Sequence, residues 1–410
     1  MKVVVVGSGG REHALAQVLG RTAEVVVTPG NPGIPGSVDV PVEDLVADGS
    51  VDLVVFGPEQ PLVAGKADAL RAQGVRVFGP DADGAQLEGS KVYMKALARD
   101  IGLPTARFGT FTEFTAAQDF LLSMRGPYVI KTDGLAAGKG VLVTPSLAEA
   151  QDDVRAKLEG RAFGAAGRKV VIEEHLEGPE VSVFAVCDGL RSVCLPAAQD
   201  FKRVADGDQG PNTGGMGAWS PVPFVPEGFE EEVNRTFIEP TLAELQTREI
   251  DYRGVLYAGF ILTEEGPKLL EYNVRFGDPD SQVVLLRMTS DLAELLAAAA
   301  DGDLRKVPAP TFADDAAVLV VAAAEGYPVS PRTGDPIEGI DEARAVEGAE
   351  VLCAGVGAGP DGELVTAGGR VLDVVARGTD AAEARARAYE AIAHVRWPGE
   401  HHRTDIAAPA

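Results

Sequence analysis

One stretch, Tyr128 to Val143, combines glycines and lysines in a pattern that suits the phosphate chain of a nucleotide. Apolar runs at its two ends predict the strands of a β-hairpin. Lys131 lies on one side of the loop between these strands and Lys139 lies within it, and each can neutralise an anion. Backbone N–H groups of glycines can approach phosphate oxygens closely. The loop glycines are Gly134, Gly138 and Gly140. No Gly-Lys-Ser/Thr sequence opens a helix here, which excludes a Walker A loop, and a flexible surface hairpin is the alternative.

A second candidate site is the predicted strand Lys268 to Arg275. Because side chains alternate between the two faces of a strand, Glu271, Asn273 and Arg275 share one face. The opposite, apolar face contains Leu270, Tyr272, Val274 and Phe276. Hard oxygens from Glu271 and Asn273 suit Mg²⁺, whose other ligands are usually water and phosphate. The Arg275 guanidinium suits a phosphoryl group, although an ion pair with Glu271 is the alternative.

The first hundred residues alternate predicted strands and helices, which indicates a parallel sheet with helices on both faces. Ligands of such sheets bind beyond the carboxyl ends of the strands. The loops there contain Gly9, Gly10, Arg11, Glu12, Asn31 and Glu59. Gly7-Ser8-Gly9 matches a dinucleotide fingerprint weakly because Glu12 replaces its third glycine. Arg11 beside a helix N-terminus suits a single phosphate instead. A solvated first turn, and plain turn chemistry for Asn31 and Glu59, are the alternatives.

Two further segments carry polar groups that can face a ligand. The acidic segment Glu173 to Glu180 leaves a predicted strand, where its backbone can contact an adenine edge and Glu180 can hold ribose hydroxyls. Asp200 and Lys202 alternate on an extended chain ahead of the glycine-rich loop Gly210 to Trp219. Long loops in compact domains are usually functional or disordered. Solvated surface charge is the alternative for both segments.

The whole chain has 410 residues, with 62 acidic and 37 basic side chains and a net charge of −25. Such a surface repels nucleic acid and anionic lipid, so we expect neither a nucleic acid nor a membrane partner. Three cysteines are too few for a disulfide framework. The first residues predict a β-strand rather than a signal peptide, and no apolar run is long enough to span a membrane. We therefore expect a cytoplasmic protein.

Several of these motifs occur together in one order and resemble the phosphoribosylamine–glycine ligase family of ATP-grasp enzymes. The resemblance is carried by Gly9–His13, Leu87–Lys91, Ile130–Gly140, Gly210–Gly217, Arg275–Pro279 and Gly368–Val371. It implies an α/β fold: an N-terminal parallel-sheet (preATP-grasp) domain at 1–101, a central ATP-grasp domain at 102–315 with an α+β lid at about 120–186, and a small C-terminal α+β cap at 316–410. It also implies that ATP, glycine and 5-phosphoribosylamine are converted through glycyl phosphate to glycinamide ribonucleotide, ADP and phosphate.

The resemblance implies a role for each candidate residue. Contacts to ATP are implied for Lys91, Lys131, Gly138, Lys139, Gly140, Glu173, Glu174, Leu176 and Glu180. Contacts to the other substrates are implied for Gly9, Gly10, Arg11, Glu12, Asn31, Glu59, Asp200, Lys202, Asn212, Gly214, Arg275 and Asp278. Arg275, Lys131 and Lys139 are the implied catalytic residues, and Glu271 and Asn273 the implied ligands of Mg²⁺ or Mn²⁺.

The chain departs from the family pattern at several places, among them Trp219 for a usual Tyr and Val274 for a usual Cys. Phe201 replaces a usual His, so we expect no polar role for it, and Tyr257 to Leu262 offers no second acidic metal ligand. The alternatives are another ATP-grasp carboxylate–amine ligase or carboxylase, or a nucleotide-binding module without catalysis. We expect a monomer.

Overall fold

The computed structural model describes residues 1–135, 140–162 and 168–408. Its N-terminal elements are β1 (Lys2–Gly7), α1 (Gly10–Leu19), β2 (Glu24–Pro29), α2 (Val42–Val46), β3 (Leu53–Phe56), α3 (Glu59–Val63), α4 (Lys66–Ala72), β4 (Val77–Phe78), α5 (Gln86–Gly89) and α6 (Lys91–Asp100). The strands form a parallel sheet in the order β2-β1-β3-β4. β3 is buried along its length, as its apolar sequence predicts. The predicted parallel-sheet domain is confirmed.

The candidate hairpin belongs to a second, antiparallel sheet. Its elements are β5 (Phe108–Phe111), α7 (Phe114–Leu122), β6 (Tyr128–Thr132), β7 (Val141–Thr144), α8 (Leu147–Leu158) and β8 (Val170–Glu174). The strand order is β5-β8-β6-β7, and Lys131 lies opposite Val141 across the β6–β7 pair. Leu121, Ile130 and Val154 share the small core beneath α7 and α8. The two predicted hairpin strands are therefore confirmed.

The middle of the chain supplies the sheet that carries Glu271. Its elements are β9 (Glu180–Asp188), β10 (Ser192–Cys194), β11 (Gln199–Asp200), β12 (Arg203–Ala205), β13 (Gln209–Asn212), β14 (Gly217–Ser220), α9 (Phe229–Val233), α10 (Glu239–Thr247), β15 (Arg253–Thr263), β16 (Gly266–Asn273), α11 (Asp280–Arg287) and α12 (Leu292–Ala300), with 3₁₀ turns at Asp206–Asp208 and Leu304–Lys306. Four strands form an antiparallel sheet in the order β10-β9-β15-β16.

Three local expectations were wrong. The glycine-rich segment 210–219 is not one long loop, because β13 pairs with β12 and β14 joins a sheet. The sequence from Phe229 to about Arg248 predicts one helix with a kink at Pro240, but a π turn at Asn234–Ile238 interrupts it ahead of that proline. Pro240 lacks the N–H that would continue α-helical bonding. A bulge in β16 places Leu269, rather than Leu270, in the core.

The C-terminal elements complete the molecule: β17 (Ala316–Ala323), α13 (Ile340–Arg344), β18 (Ala349–Cys353), β19 (Val356–Ala358), β20 (Leu364–Thr366), β21 (Arg370–Gly378) and α14 (Ala381–Ile392). Their sheet has the order β11-β14-β17-β21-β18 and so includes two strands from before residue 316. The domain limits stay a prediction. Among the described residues, none of the helices combines the length and apolar character needed to cross a bilayer.

Candidate active site

Lys131 lies on β6 with its ammonium group almost buried. Its Nζ is 3.1 Å from Glu173 Oε2, while Lys95 Nζ, from α6, is 3.2 Å from Glu173 Oε1. Burial opposes ionisation of Glu173, but Lys131 and Lys95 hold its pKa below the ordinary value. Glu173, for which a nucleotide contact is implied, is thus the counterion that Lys131 and Lys95 share. Lys95 was missed by sequence reasoning, although a lysine beside Met94 on an apolar helix face is a signal.

The first turn of α6 is fastened to the hairpin loop. A serine directly before a helix predicts an N-cap, and Ser90 does accept from the Tyr93 N–H; its hydroxyl also donates to Asp133 Oδ1 at 2.9 Å. The Val92 N–H reaches the same oxygen at 3.2 Å. Lys91 Nζ is 3.4 Å from the Gly134 carbonyl, so Lys91, like Lys131 at the end of β6, borders this loop. The structure describes Gly140, whose carbonyl accepts from the Thr132 N–H, but Gly138 and Lys139 lie outside the described residues.

The segment expected at adenine and ribose follows β8. Glu174 Oε1 accepts from the Arg107 N–H at 2.8 Å, which orients its side chain toward the backbone before β5. Leu176 is half-buried in the turn that follows. Glu180, at the start of β9, forms an ion pair with Lys202 at 2.6 Å. This ion pair joins Glu180, for which a contact to ATP is implied, to Lys202, for which a contact to the other substrates is implied.

Glu271 is the point on which the cationic side chains converge. Although burial opposes it, four nearby cations lower the pKa of Glu271; they are Lys202, Lys131, Lys91 and Arg275. These cations come from four separate stretches of sequence. Glu271 and Asn273 lie opposite Gly259 and Tyr257 of β15, and their side chains make no hydrogen bond or ion pair with the described part of the chain.

The free oxygens of Glu271 and Asn273 fit the partial ligand set that Mg²⁺ takes from a protein. Among the residues that the structure describes, no three His, Cys, Asp or Glu side chains cluster as a metal site. Any ion held there would therefore complete its shell with water or phosphate oxygens.

Arg275 lies just after β16 and is fixed by two carboxylates of the N-terminal domain. Its Nη2 donates to Glu88 Oε1 at 2.8 Å, and its Nε donates to Glu59 Oε2 at 3.2 Å. Burial opposes the effect, but these carboxylates raise the pKa of Arg275. The alternative interpretation, an ion pair between Arg275 and Glu271, is not what the structure shows, because Arg275 pairs with Glu59 and Glu88. Glu88 is another residue that sequence reasoning missed. It also accepts from the Val274 N–H at 2.9 Å, so it holds both the backbone before Arg275 and the Arg275 side chain.

The N-terminal motif reaches the same region. Glu12 Oε2 accepts from the Gly9 N–H at 2.6 Å, and Arg11 Nε donates to Glu12 Oε1 at 2.7 Å. Arg11 Nη1 also donates to the Phe276 carbonyl at 3.2 Å, directly beside Arg275. Glycine is required at Gly57 because a Cβ there would overlap the Glu12 carboxylate. The two arginines implied in substrate binding are therefore neighbours.

A network from the C-terminal domain closes this region. Arg370 Nη2 is 3.0 Å from Asp278 Oδ2, and its Nη1 donates to the Gly214 carbonyl at 2.9 Å. Gln282 Nε2 donates to Asp278 Oδ1 at 3.0 Å and to Asp373 Oδ2 at 3.1 Å. Burial and Asp278 raise the pKa of Asp373 to about 7. A Cβ at Gly10 would overlap the Asp373 carboxylate. Arg370, Gln282 and Asp373 were assigned no role from sequence.

The remaining candidates divide between the site and the scaffold. Burial raises the pKa of Asp200 to about 7 against the opposing field of Lys202. Asn31 Nδ2 donates to the carbonyls of Ser8, Cys353 and Ala354, which is a structural link between domains. Asn212 pairs with Arg203 in the β12–β13 ribbon. Phe201 packs on the C-terminal core, with the Arg403 guanidinium 5.2 Å from its ring centroid.

Two antiparallel sheets, with Lys131 on one and the carboxylate and amide of Glu271 and Asn273 on the other, are the arrangement expected of an ATP-grasp enzyme, and a family model of that class matches the chain. Family models match in three consecutive parts: the phosphoribosylglycinamide synthetase N domain at residues 1–88, its ATP-grasp (A) domain at 89–281 and its C domain at 317–409. The chain belongs to the phosphoribosylamine–glycine ligase family.

Relatives match over nearly their full length. The phosphoribosylamine–glycine ligase of Brucella melitensis biotype 1 is 46% identical over 99% of this chain and 97% of its own. That of Streptomyces coelicolor is 48% identical over 100% of this chain and 99% of its own. The crystal structure of the Thermotoga maritima phosphoribosylamine–glycine ligase is 36% identical, with a TM-score of 0.87, and covers 99% of this chain and 100% of that one.

Proposed function

We propose that this ATP-dependent ligase joins glycine to 5-phosphoribosylamine between the β6–β7 hairpin and β16. The observation that carries the proposal is that Lys131 Nζ, on β6, donates to the Leu270 carbonyl of β16 at 3.5 Å, so the cationic hairpin lies against the strand that carries Glu271 and Asn273. The field of four cations at Glu271 suits a triphosphate there. Family membership supplies the substrates. Lys91, Lys131 and the loop with Gly138, Lys139 and Gly140 hold the phosphates, while Glu174, Leu176 and Glu180 border the nucleoside.

In the first step, a carboxylate oxygen of glycine attacks the γ-phosphorus of ATP, the bond to ADP breaks, and glycyl phosphate forms. In the second step, the amine nitrogen of phosphoribosylamine attacks the glycyl carbonyl carbon, inorganic phosphate leaves, and the nitrogen loses a proton. Positioning and charge neutralisation are the main requirements of such transfers. Arg275, held by Glu59 and Glu88, faces the transferred phosphoryl group, and Arg11 faces the sugar phosphate.

Glu271 and Asn273 hold Mg²⁺ or Mn²⁺, which when bound neutralises phosphate charge. The other substrate contacts are formed by Gly9, Gly10, Glu12, Asp200, Lys202, Gly214 and Asp278. Asn31 and Asn212 act through the backbone segments that they hold. We propose that the protein is a monomer and acts in the cytoplasm. Size-exclusion chromatography with light scattering tests the monomeric state.

The deciding experiment measures ADP release with glycine and freshly prepared phosphoribosylamine. We expect turnover in the wild type and a loss of at least about 100-fold in Glu271→Gln, together with a higher Mg²⁺ requirement. Glu265→Gln is the matched control, because Glu265 is exposed in the turn beside β16 and, among the described residues, its side chain pairs only with Lys268. ADP release with bicarbonate instead would favour a carboxylase. ATP binding without ADP release would favour a non-catalytic module.

A further inference from the structure

A cavity of about 530 Å³ lies between α1 and the C-terminal domain. One face of α1 forms a wall, with His13, Ala16, Gln17 and Gly20. The rest of the lining comes from Val25, Pro35, Gly36, Arg344, Ala349, Glu350 and Val351. The volume lies in the range of small-molecule sites. None of these residues is among those assigned above to ATP, glycine, phosphoribosylamine or metal, so the cavity is separate from the proposed active site.

His13 supplies a hydrogen-bond donor to this cavity. The side chain is 6% exposed, and its Nδ1 accepts from the Cys353 N–H at 2.8 Å. Burial and the nearby Arg344 lower the pKa of His13 to about 4, so the ring is neutral at physiological pH. With Nδ1 as acceptor, the ring proton resides on Nε2. No described residue accepts a hydrogen bond from Nε2, which leaves this N–H for a ligand.

Arg344 supplies a positive charge at the rim. Its Nη2 donates to the Val351 carbonyl at 3.2 Å, and within the described ranges no carboxylate lies at ion-pair distance from it. Glu350, the acidic residue of the lining, instead accepts a hydrogen bond from Gln17. Arg344 lines the same cavity as His13, and its charge acts on the pKa of both His13 and Cys353.

The rest of the lining is mainly apolar, with Ala16, Val25, Pro35, Ala349 and Val351. We propose that this cavity binds a small organic anion, whose acidic group accepts from His13 Nε2–H and Arg344 and whose apolar body packs on these side chains. Carboxylate, sulfonate and phosphate groups share this chemistry. Arg11 and His13 are two positions apart on α1 and therefore point about 200° apart around the helix, so the cavity and the substrate side use different faces of one helix.

The test uses the full chain and two fluorescent probes with similar apolar bodies. The first is 8-anilinonaphthalene-1-sulfonate, which is an anion, and the second is N-phenyl-1-naphthylamine, which is neutral. Titrations are made with saturating Mg²⁺ and ATP, so that the nucleotide site is filled. We expect one molecule of the anionic probe to bind per chain. In Arg344→Gln its Kd rises about tenfold or more, because a charge-assisted hydrogen bond is lost, while binding of the neutral probe changes less than twofold.

Two further variants complete the design. Arg305→Gln is the matched control, because Arg305 is an exposed arginine whose carboxylate partner is Asp303, and it leaves both affinities unchanged. Ala16→Phe fills the cavity and abolishes binding of both probes; if this variant does not fold, the exposed Arg344 position decides alone. Displacement of the anionic probe by ATP, or equal affinity of that probe for wild type and Arg344→Gln, would overturn the proposal. Binding is measured without turnover, so the result is independent of the proposed function.

Discussion

At the scale of single residues, the buried pairing of Glu173 with Lys95 and Lys131 determines how Lys131 is presented to a phosphate. Burial lowers the pKa of Lys95 to about 8 from an ordinary value of 10.5, against the attraction of Glu173. Between these two pH values the unfolded chain binds more protons at this position than the folded chain. The contribution of Lys95 to the free energy of unfolding therefore rises with pH through this window.

Lys95→Met tests this linkage, because methionine fills a similar volume without titrating. We expect the unfolding free energy of the wild type, relative to the variant, to increase by about 2 kcal/mol between pH 7 and pH 10. Urea unfolding at both pH values measures it. Lys66→Met provides the control, since Lys66 is an exposed lysine paired with Glu43. If the difference in unfolding free energy between wild type and Lys95→Met stays constant or shrinks toward pH 10, the pKa of Lys95 is not lowered in the folded protein.

Glu88 is a positioning residue for Arg275, and its effect belongs to turnover rather than to ATP binding. Glu88→Gln removes the charge-assisted bond to Nη2 while keeping an oxygen for the Val274 N–H. We expect kcat for ADP release to fall about 10- to 100-fold, as for other groups that orient a catalytic side chain, with the KM for ATP within about twofold. Glu43→Gln, in an exposed ion pair, leaves both unchanged. Parallel changes in kcat and KM for Glu88→Gln would point to a general structural defect.

At the scale of elements, two helix caps of the same chemistry differ in their surroundings. Ser90 caps α6 and also donates to Asp133 of the hairpin loop, whereas the Ser146 hydroxyl caps α8 and has no such link to the described part of that loop. Ser90→Ala and Ser146→Ala should each lower the free energy of unfolding by about 1 kcal/mol. Only Ser90→Ala should also raise the KM for ATP, by a few-fold, because the loop loses its attachment. Equal KM values for ATP in the two variants would contradict the prediction, because they would show that the Ser90–Asp133 hydrogen bond has no effect on ATP binding.

Periodicity predicted the elements where one pattern extends along a strand or helix, as in β6, β7 and α1. It failed where a single residue shifts the pattern, as at the Leu270 bulge and the π turn before Pro240. The contacts of the site were harder to predict for a different reason. Glu88 and Arg275 are 187 positions apart, and Gln282 and Asp373 are 91 apart. A local pattern indicates which face a residue occupies, but the partner on that face depends on how whole sheets pack.

At the scale of the whole molecule, the domains meet through buried carboxylates. Asp373 on β21 lies against Gly10 of α1, and Gln282 of α11 joins it to Asp278, the partner of Arg370. Asp373 Oδ1 has no hydrogen-bond partner in the described part of the chain. Ionising such a buried group costs free energy, so the junction of the three parts is strongest when Asp373 is protonated.

Asp373→Asn tests this junction through the pH dependence of stability. The pKa of Asp373 is raised from 3.8 to about 7, so its stabilising contribution is complete below about pH 4 and is lost as pH rises to about 7. Asparagine resembles the protonated acid and does not titrate. From pH 5 to pH 8 the variant should therefore gain about 2 kcal/mol of unfolding free energy relative to wild type, measured by urea unfolding. Asp361→Asn, in the exposed β19–β20 turn, should show no such trend, and a constant difference for Asp373→Asn would mean that this carboxylate is ionised throughout.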